Sequence, residues 1–418
     1  MSEPLAFEPS TYEPVDQMAL WWLGQPSAPT LVGTLETARQ WRGVSMSYAP
    51  AWLKQGFALS EDLPLQARVF MPDEKDQAVG AVDDARPDRW GERVIRFIDR
   101  PKRMSLLEYL LFAGDERFGA LGVSLSAEQY APRRSGPLPE LADVQAVAST
   151  VQRVLNGEHV PPALQRMITP GATLGGARPK ALLNIDGHPW VVKFAEAGEF
   201  ADMPLLEHAA MTLAARAGIR VAPTQALPLQ RGHAVAVRRF DREAGGRRRH
   251  ALSAHVALRA AGEEMGYPEL AQLLRRKGVA DGGLLHQQMH ELFKRMVFNI
   301  LIDNTDDHEK NHVLLVTHRG DYELAPAFDV LPSGQALGYQ QMRVGQHGSE
   351  SNLENALSES RQFGLGRQEA VTEIRAVVQV VQGWQAHFLS VGLSDSDMAL
   401  LAQQIDRPAL LDQRGAFL

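Results

Sequence analysis

The sequence NTDDHEKN, residues 304–311, stands between two strongly apolar stretches of the chain. Residues 292–302 before it are predicted to form a buried helix, and residues 313–316 after it a buried strand, because most of their side chains are apolar. A polar loop between two buried elements lies at the edge of a core, where loops carry function more often than other segments do. Residues 304–311 are therefore the first candidate for a functional loop.

Three side chains in and after this loop have the spacing typical of phosphoryl transfer from ATP. Asp306 and Asn311 are five residues apart, as are the catalytic carboxylate and the metal-binding asparagine of protein kinases. Asp329 follows Asn311 by 18 residues, after a predicted hairpin, where kinases place their second metal-binding carboxylate. The pattern predicts one carboxylate for the acceptor hydroxyl and two oxygen ligands for Mg²⁺.

Two other interpretations of the loop remain open from the residues alone. Asp306 and Asn311 are compatible with a capped turn, because Asp and Asn side chains hydrogen-bond nearby backbone groups. Asp307, His308 and His312 could instead hold zinc or iron, since two histidines four residues apart can share a helix face. Residues 308–312, HEKNH, have the HExxH spacing, but a metal ion held there would leave the lysine and asparagine of the loop without a role, which counts against that site.

A glycine-rich turn, GATLGGA at residues 171–177, precedes two predicted strands. It lacks the spacing of Walker A and GxGxxG loops, but its small residues would let backbone N–H groups approach phosphate oxygens. The candidates for phosphate contact here are Gly175, Gly176, Ala177 and Lys180. An ordinary hairpin turn is the alternative interpretation.

Lys193 ends the second of these strands, residues 190–194, which is apolar before it. A lysine on a buried strand is costly unless a negative charge pairs with it, and ATP phosphates would supply that charge. A surface lysine is the alternative. Glu207, in the next predicted helix, is a candidate partner for Lys193.

The sequence RRFDR, residues 238–242, ends the strand predicted over residues 234–240. Its backbone, from Arg238 to Asp241, could hydrogen-bond the adenine edge while Phe240 packs nearby. An exposed strand end with a solvated ion pair is the alternative.

The composition limits the class of protein. A chain of 418 residues predicts two or three domains, and 44% hydrophobic with 22% charged residues is ordinary for a soluble globular protein. The net charge of −7 disfavours direct DNA binding as the main role. Without cysteine, disulfides and thiolate sites are excluded. The acidic N-terminus is not a signal peptide and no apolar stretch spans a membrane, so we expect a cytoplasmic protein.

The order of predicted elements indicates an α+β protein with a two-lobed, protein-kinase-like fold. Residues 1–135 read as a β-rich N-terminal subdomain, and the proline-bearing segment 129–139 as a linker. Residues 136–242 contain the glycine-rich turn, a hairpin around Asp186-Gly187 and a helix over residues 204–217, as in a kinase N-lobe. Residues 243–418 read as a mostly helical C-lobe.

These motifs together resemble those of HipA-type serine/threonine protein kinases. The loop at 304–311 is similar to their NxDxHxKN motif, and LAPAFDVLPS at 324–333 to their metal-binding segment. TLGGARPK at 173–180 is similar to their phosphate loop, and RFDR at 239–242 to their hinge. The resemblance extends to the first domain and so covers nearly the whole chain; the segments that carry it there are residues 32–35, 47–52, 87–91 and 114–122.

By position, the resemblance implies that Asp306 is the catalytic aspartate, that His308 supports the loop or nucleotide, and that Asn311 and Asp329 hold Mg²⁺. The residues that it places around ATP are Gly175, Gly176, Ala177, Lys180, Lys193, Arg238, Phe240 and Asp241. HipA-type kinases autophosphorylate a serine of the phosphate loop, which ejects the loop and inactivates the enzyme. Thr173 has that position here. Because a threonine hydroxyl can also take phosphate, self-inhibition by the same route is a hypothesis for this chain.

The resemblance also implies partners. HipA-type toxins pair with a helix-turn-helix antitoxin of the HipB type and phosphorylate an aminoacyl-tRNA synthetase, so DNA would be contacted mainly through the antitoxin. Two alternatives remain. A small-molecule phosphotransferase would typically lack the lysine of NxDxHxKN. A catalytically silent kinase-like regulator would commonly lose one of four site residues that this chain retains, namely Lys193, Asp306, Asn311 and Asp329.

Overall fold

The structure is a computed structural model that describes residues 12–171 and 176–418. Its strands are β1 (Gln17–Trp22), β2 (Thr30–Ala38), β3 (Gly43–Tyr48), β4 (Val69–Phe70), β5 (Leu121–Ser124), β6 (Lys180–Ile185), β7 (His188–Phe194), β8 (Thr224–Pro228), β9 (His233–Arg238), β10 (His250–Ser253), β11 (Val313–Val316) and β12 (Tyr322–Leu324). Its α-helices are α1 (Pro50–Gln55), α2 (Arg89–Val94), α3 (Leu106–Phe112), α4 (Val144–Asn156), α5 (Pro162–Gln165), α6 (Met203–Arg216), α7 (Ala254–Ala261), α8 (Tyr267–Lys277), α9 (Leu284–Leu301), α10 (Leu353–Ser358), α11 (Arg367–Gln382), α12 (Trp384–Val391), α13 (Asp395–Ile405) and α14 (Pro408–Gly415).

The chain divides into two compact units. The first unit comprises Met1–Phe194 and Arg239–Leu252, and the second comprises Ala195–Arg238 and Ser253–Leu418. The mixture of antiparallel strands and helices confirms the predicted α+β class. The three-part division predicted from the sequence, with boundaries at residues 135 and 242, stays a prediction.

The first unit contains an antiparallel five-stranded sheet in the order β4-β3-β2-β1-β5. Gly33 on β2 faces Tyr48 on β3, and a Cβ at residue 33 would lie 2.0 Å from the Ser47 carbonyl oxygen. Only glycine allows this close approach of the two backbones. Helix α3 packs against the sheet, and its N-terminus is closed by a capping box between Ser105 and Glu108.

The hairpin of β6 and β7 also belongs to the first unit, and α4 packs against β6. Its turn residues Asp186 and Gly187 both have positive φ, 52° and 76°. Two left-handed central residues match the twist of the flanking strands, which explains why the Asp-Gly pair predicted this hairpin. Glu140 is fixed beside it, because the Asn184 side-chain amide donates to both of its carboxylate oxygens at 2.9 and 3.0 Å.

The second unit places α6 against the hairpin of β8 and β9. Asp202 caps the start of α6, accepting from Leu205 N at 3.3 Å, and Gly218 with a φ of 77° follows its end, as predicted. Strand β9 ends at Arg238, two residues before the predicted end, where the side chains of Arg239 and Arg242 donate to the carbonyls of Glu116 and Gly119.

Helix α9 forms the centre of the second unit, with α8, α10 and α11 packed around it. Its residues Leu292, Phe293, Met296 and Ile300 are fully buried. It begins eight residues earlier than predicted, because the mixed sequence of residues 284–291 buries only one side. The hairpin of β11 and β12 follows, as expected. None of the helices in the described ranges is long and apolar enough to cross a membrane.

Candidate active site

The polar loop after α9 lies in the second unit, and its first residues hold it in place. Asp303, between the helix and the loop, has a φ of 59°, a left-handed conformation that Asp can adopt and that cannot continue a right-handed helix. Asn304 is buried and its Nδ2 donates to Asn299 Oδ1 on α9 at 3.1 Å. Thr305 is fully buried, and its Oγ1 lies 2.6 Å from Ser333 Oγ. The loop is therefore anchored before Asp306 is reached.

Asp306 and Asp307, adjacent in sequence, differ in environment. Asp306 is exposed, whereas Asp307 is 2% exposed. His312 Nε2 donates to Asp307 Oδ2 at 2.8 Å, and the Tyr267 hydroxyl donates to the same oxygen. Burial opposes the charge of Asp307, but these donors hold its pKa below the usual value. An ionised, buried Asp307 thus supports the loop while Asp306 faces solvent.

The metal-binding candidates Asn311 and Asp329 lie on two chain segments that are hydrogen-bonded to each other near both ends. At one end Ala325 N donates to Val313 O at 2.8 Å, and at the other Ser333 N donates to Asp303 O at 3.1 Å. A small cavity of about 10 Å³ between them is lined by residues of both segments. Those residues are Asp307, Asn311, His312, Ala327, Phe328 and Val330.

The oxygen atoms of these two residues are of the chemical type that a magnesium ion binds. Asn311 is 5% exposed, and among the described residues its Oδ1 has no hydrogen-bond partner. A buried amide oxygen without a donor is costly, and a cation would compensate it. Asp329 is half-buried with a φ of 59°, a left-handed conformation that Asp tolerates better than most residues. One amide oxygen and one carboxylate are ligands that Mg²⁺ accepts.

The zinc or iron alternative is not supported by the geometry. Within residues 12–171 and 176–418, no three His, Asp or Glu side chains are grouped to hold a metal ion. His312 donates to Asp307, and His308 Nδ1 accepts from Lys310 N at 3.3 Å, which closes the turn. Glu309 binds His255 at 2.8 Å, and this hydrogen bond lowers the pKa of Glu309 to about 2.

The phosphate-contact candidates lie in the first unit. Thr173 and Gly175 fall outside the described residues, while Gly176 and Ala177 are exposed. Lys180 is 1% exposed, and its ammonium group binds the Asp88 carboxylate and donates to Gly176 O at 3.0 Å. Lys180 therefore holds the end of the glycine-rich turn onto α2, whose N-terminus Asp88 caps.

Lys193 is 2% exposed at the end of β7, so the surface-lysine alternative is excluded. A lysine buried to this extent needs negative charge or several acceptors around it. Glu207 is fully buried on α6 of the second unit.

The hinge candidates are divided between the units, since Arg238 ends β9 in the second unit and Phe240 and Asp241 belong to the first. Asp241 is fully buried; its carboxylate accepts from Gly119 N at 2.8 Å and from the guanidinium groups of Arg239 and Arg242. Burial opposes its charge, but the two arginines lower the pKa of Asp241 to about 2. The Asp241 carboxylate is thus fully engaged in hydrogen bonds within the protein, and the Asp241 backbone remains the candidate for hydrogen bonds to adenine.

Four residues that support the loop were not among the candidates from the sequence: Tyr267, Asp303, Ser333 and Arg407. Arg407 Nη1 donates to Asp303 Oδ1 at 2.6 Å across 104 residues of chain. Residue pairs this far apart along the chain follow no sequence spacing from which their contact could be predicted. Only Ser333 lay within a motif, at the end of LAPAFDVLPS, and only its place in that motif could have identified it.

Comparison with known proteins identifies the family of the chain. Residues 172–384 match the family described as HipA-like C-terminal domain, and residues 27–124 match the HipA N-terminal domain. The protein named "Putative kinase Y4mE" of Sinorhizobium fredii is 24% identical over 339 residues, 75% of this chain and 76% of that protein.

A solved structure has the same fold. The HipA chain of the Shewanella oneidensis complex of HipA, HipB and operator DNA superposes with a TM-score of 0.66 at 17% identity. The match covers 96% of this chain and 97% of that chain, which confirms the predicted kinase-like fold. The Helicobacter pylori proinflammatory kinase CtkA is less similar, matching 58% of this chain and 92% of its own at 13% identity with a TM-score of 0.39.

Proposed function

Since the chain belongs to the HipA family of kinases, we propose that it transfers the γ-phosphate of ATP, with Mg²⁺, to a serine or threonine hydroxyl of a protein. The observation that carries this proposal is the buried Asn311 Oδ1, which has no partner among the described residues. It lies on a loop that shares a cavity with the segment bearing Asp329, so a cation at this place would have two oxygen ligands.

In the proposed reaction, the acceptor hydroxyl oxygen attacks the γ-phosphorus while the bond to the ADP oxygen breaks. Asp306 is exposed and accepts the hydroxyl proton. Asn311 and Asp329 would hold Mg²⁺, which neutralises phosphate charge when bound. His308 closes the turn between Asp306 and Asn311 through its bond from Lys310 N.

We propose the remaining nucleotide contacts from their place in the motifs. Lys193 is buried on its strand and would offset phosphate charge, and Lys180 would hold the turn that approaches the phosphates. The backbone from Arg238 to Asp241, with Phe240 beside it, would bind adenine. The turn residues in this proposal are Gly175, Gly176 and Ala177, with Thr173 as the site of autophosphorylation.

The proposed partners follow from the relatives. The Shewanella protein was solved with HipB and operator DNA, so we propose a HipB-type antitoxin for this chain, with DNA contacted through it. The proposed target is an aminoacyl-tRNA synthetase, and the proposed location is the cytoplasm. The division at residues 135 and 242 into an N-terminal subdomain, an N-lobe and a C-lobe belongs to the same proposal.

Incubation with γ-labelled ATP and Mg²⁺, followed by mass spectrometry of the phosphorylated residues, tests the proposal. Wild type is compared with Asp306→Asn. We expect label on Thr173 or on an added protein substrate, lost in the variant. Label that appears only on an added small molecule would indicate a small-molecule phosphotransferase. A chain that binds ATP but transfers nothing to any acceptor would be a silent regulator, and the proposal would be wrong.

A further inference from the structure

Two buried side chains directly follow the candidate site residues of the loop. Asp307 follows Asp306, and His312 follows Asn311, so both pairs have the same five-residue separation. The buried pair is joined by a hydrogen bond of 2.8 Å from His312 Nε2 to Asp307 Oδ2. The loop is therefore closed on its buried side, next to the two residues whose separation matters for phosphoryl transfer.

This closure is fixed to two helices. The Tyr267 hydroxyl, from the first residue of α8, donates to the same Asp307 oxygen. Asn299 Nδ2 on α9 lies 3.4 Å from that hydroxyl, and Asn304 is bonded to the same asparagine. The rings of Tyr267 and His312 are in edge contact, with centroids 5.4 Å apart. All five side chains are at most 3% exposed, so none of these contacts is weakened by solvent.

The position of Asn311 depends on this arrangement. Its Oδ1 has no donor among the described residues, so no hydrogen bond to that atom orients the side chain. Its backbone is held on one side by the bond from Asn311 N to His308 O at 2.9 Å. On the other side it is held through His312, whose carbonyl accepts from Ala254 N at 2.7 Å and whose ring binds Asp307.

The space behind the loop leaves little room for rearrangement. Asn311, His312 and Asp307 line the cavity of about 10 Å³, which is no larger than one water molecule requires. If the Asp307–His312 bond were lost, the loop could shift only by displacing packed neighbours or by moving toward solvent. Movement toward solvent would change the separation between Asp306 and Asn311.

We propose that Asp307, His312 and Tyr267 are positioning residues whose hydrogen bonds set the separation and direction of Asp306 and Asn311. The inference rests on the proposed function, since it concerns the same loop. It assigns a role to three buried residues, of which Asp307 stands at an unspecified position of the NxDxHxKN motif and the other two lie outside it. By analogy with groups that orient metal ligands, their loss lowers metal affinity or activity by about 10–100-fold.

The test compares His312→Leu, which removes the donor, with His312→Gln, which retains an amide donor of similar reach. The first readout is hydrogen exchange of residues 304–312 in the ligand-free protein. The second is the Mg²⁺ concentration that gives half of the thermal stabilisation by a non-hydrolysable ATP analogue. We expect His312→Leu to exchange faster in this segment and to need about 10–100-fold more Mg²⁺. In His312→Gln, both the exchange rate and the Mg²⁺ requirement should return most of the way to the wild-type values.

A matched control separates positioning from stability. Asp406 accepts hydrogen bonds from Arg414 and Trp384 elsewhere in the second unit, so Asp406→Asn should lower the melting temperature without changing the Mg²⁺ requirement. Equal Mg²⁺ requirement and equal loop exchange in His312→Leu and wild type would overturn the inference. If wild type itself is not stabilised by nucleotide with Mg²⁺ and transfers no phosphate, the proposed function fails instead, and the exchange data still show whether the bond orders the loop.

Discussion

Arg407 Nη1 lies 2.6 Å from Asp303 Oδ1, so the residue before α14 is joined to the residue that leads from α9 into the polar loop. Asp303 is fully buried and has positive φ. Its second carboxylate oxygen accepts from Ala336 N at 3.2 Å. Burial raises the pKa of Asp303 despite the arginine, so the charge is costly and Arg407 is its main compensation.

Arg407→Ala should therefore destabilise the protein. Removing the guanidinium leaves the buried carboxylate of Asp303 without its cation, and we expect a loss of about 2–3 kcal/mol in the free energy of unfolding. Asp303→Asn in the same chain should recover part of the loss. Urea denaturation measures both. Arg367→Ala breaks an exposed ion pair with Glu354 and should change stability by less than about 0.5 kcal/mol. Equal effects of the two arginine variants would contradict this account.

Asp329→Asn should weaken nucleotide binding in the presence of Mg²⁺. Asn tolerates the φ of 59° as Asp does, so the variant removes the charge without straining the backbone. Asp306→Asn should instead keep binding and lower transfer by about 10²–10⁴-fold, because it affects only the acceptor hydroxyl. Calorimetric titration with a non-hydrolysable analogue, with and without Mg²⁺, distinguishes the two. Asp321→Asn, in the hairpin turn before β12, is the control. Wild-type affinity in Asp329→Asn would remove this residue from the metal site.

Asp88 variants should separate the cap of α2 from the ion pair with Lys180. Asp88→Asn can still accept from Gly91 N but loses the charge beside a lysine that is 1% exposed, so we expect a loss of about 3 kcal/mol. Asp88→Ala also loses the cap, for about 1 kcal/mol more. Thermal or urea denaturation measures the loss of stability in each variant. Asp76→Asn, in an exposed pair with Arg42, should be nearly neutral. A neutral Asp88→Asn would show that Lys180 has another compensating partner.

His250 should make the stability depend on pH. Burial lowers the pKa of His250 to about 4, although its Nε2 donates to Leu59 O at 2.8 Å. The unfolded chain binds a proton near pH 6.5 and the folded chain only near pH 4, so the folded state is penalised progressively as pH falls between these values. The contribution to the free energy of unfolding amounts to about 3 kcal/mol. His250→Gln should flatten this part of the stability curve. An unchanged slope in the variant would assign the pH dependence to other groups.

The residue types and their spacing determined the elements around the candidate site. Asp186 and Gly187 specified a hairpin because both central residues must adopt positive φ, and Gly218 marked the end of α6 for the same reason. The apolar run into residue 302 determined the helix before the loop. The spacing of Asp306, Asn311 and Asp329 identified a phosphoryl-transfer pattern, because chemistry restricts which side chains can hold a metal and receive a proton.

The tertiary structure decided which side chains are available for chemistry and which support the others. Sequence spacing could not distinguish the exposed Asp306 from the buried Asp307, because burial of a loop residue depends on distant partners such as Tyr267 and His312. Sequence spacing also could not show that the Asp241 carboxylate accepts hydrogen bonds from Arg239, Arg242 and Gly119. Hydrogen bonds between residues far apart along the chain follow no period in the sequence, and they exist only once the elements have packed.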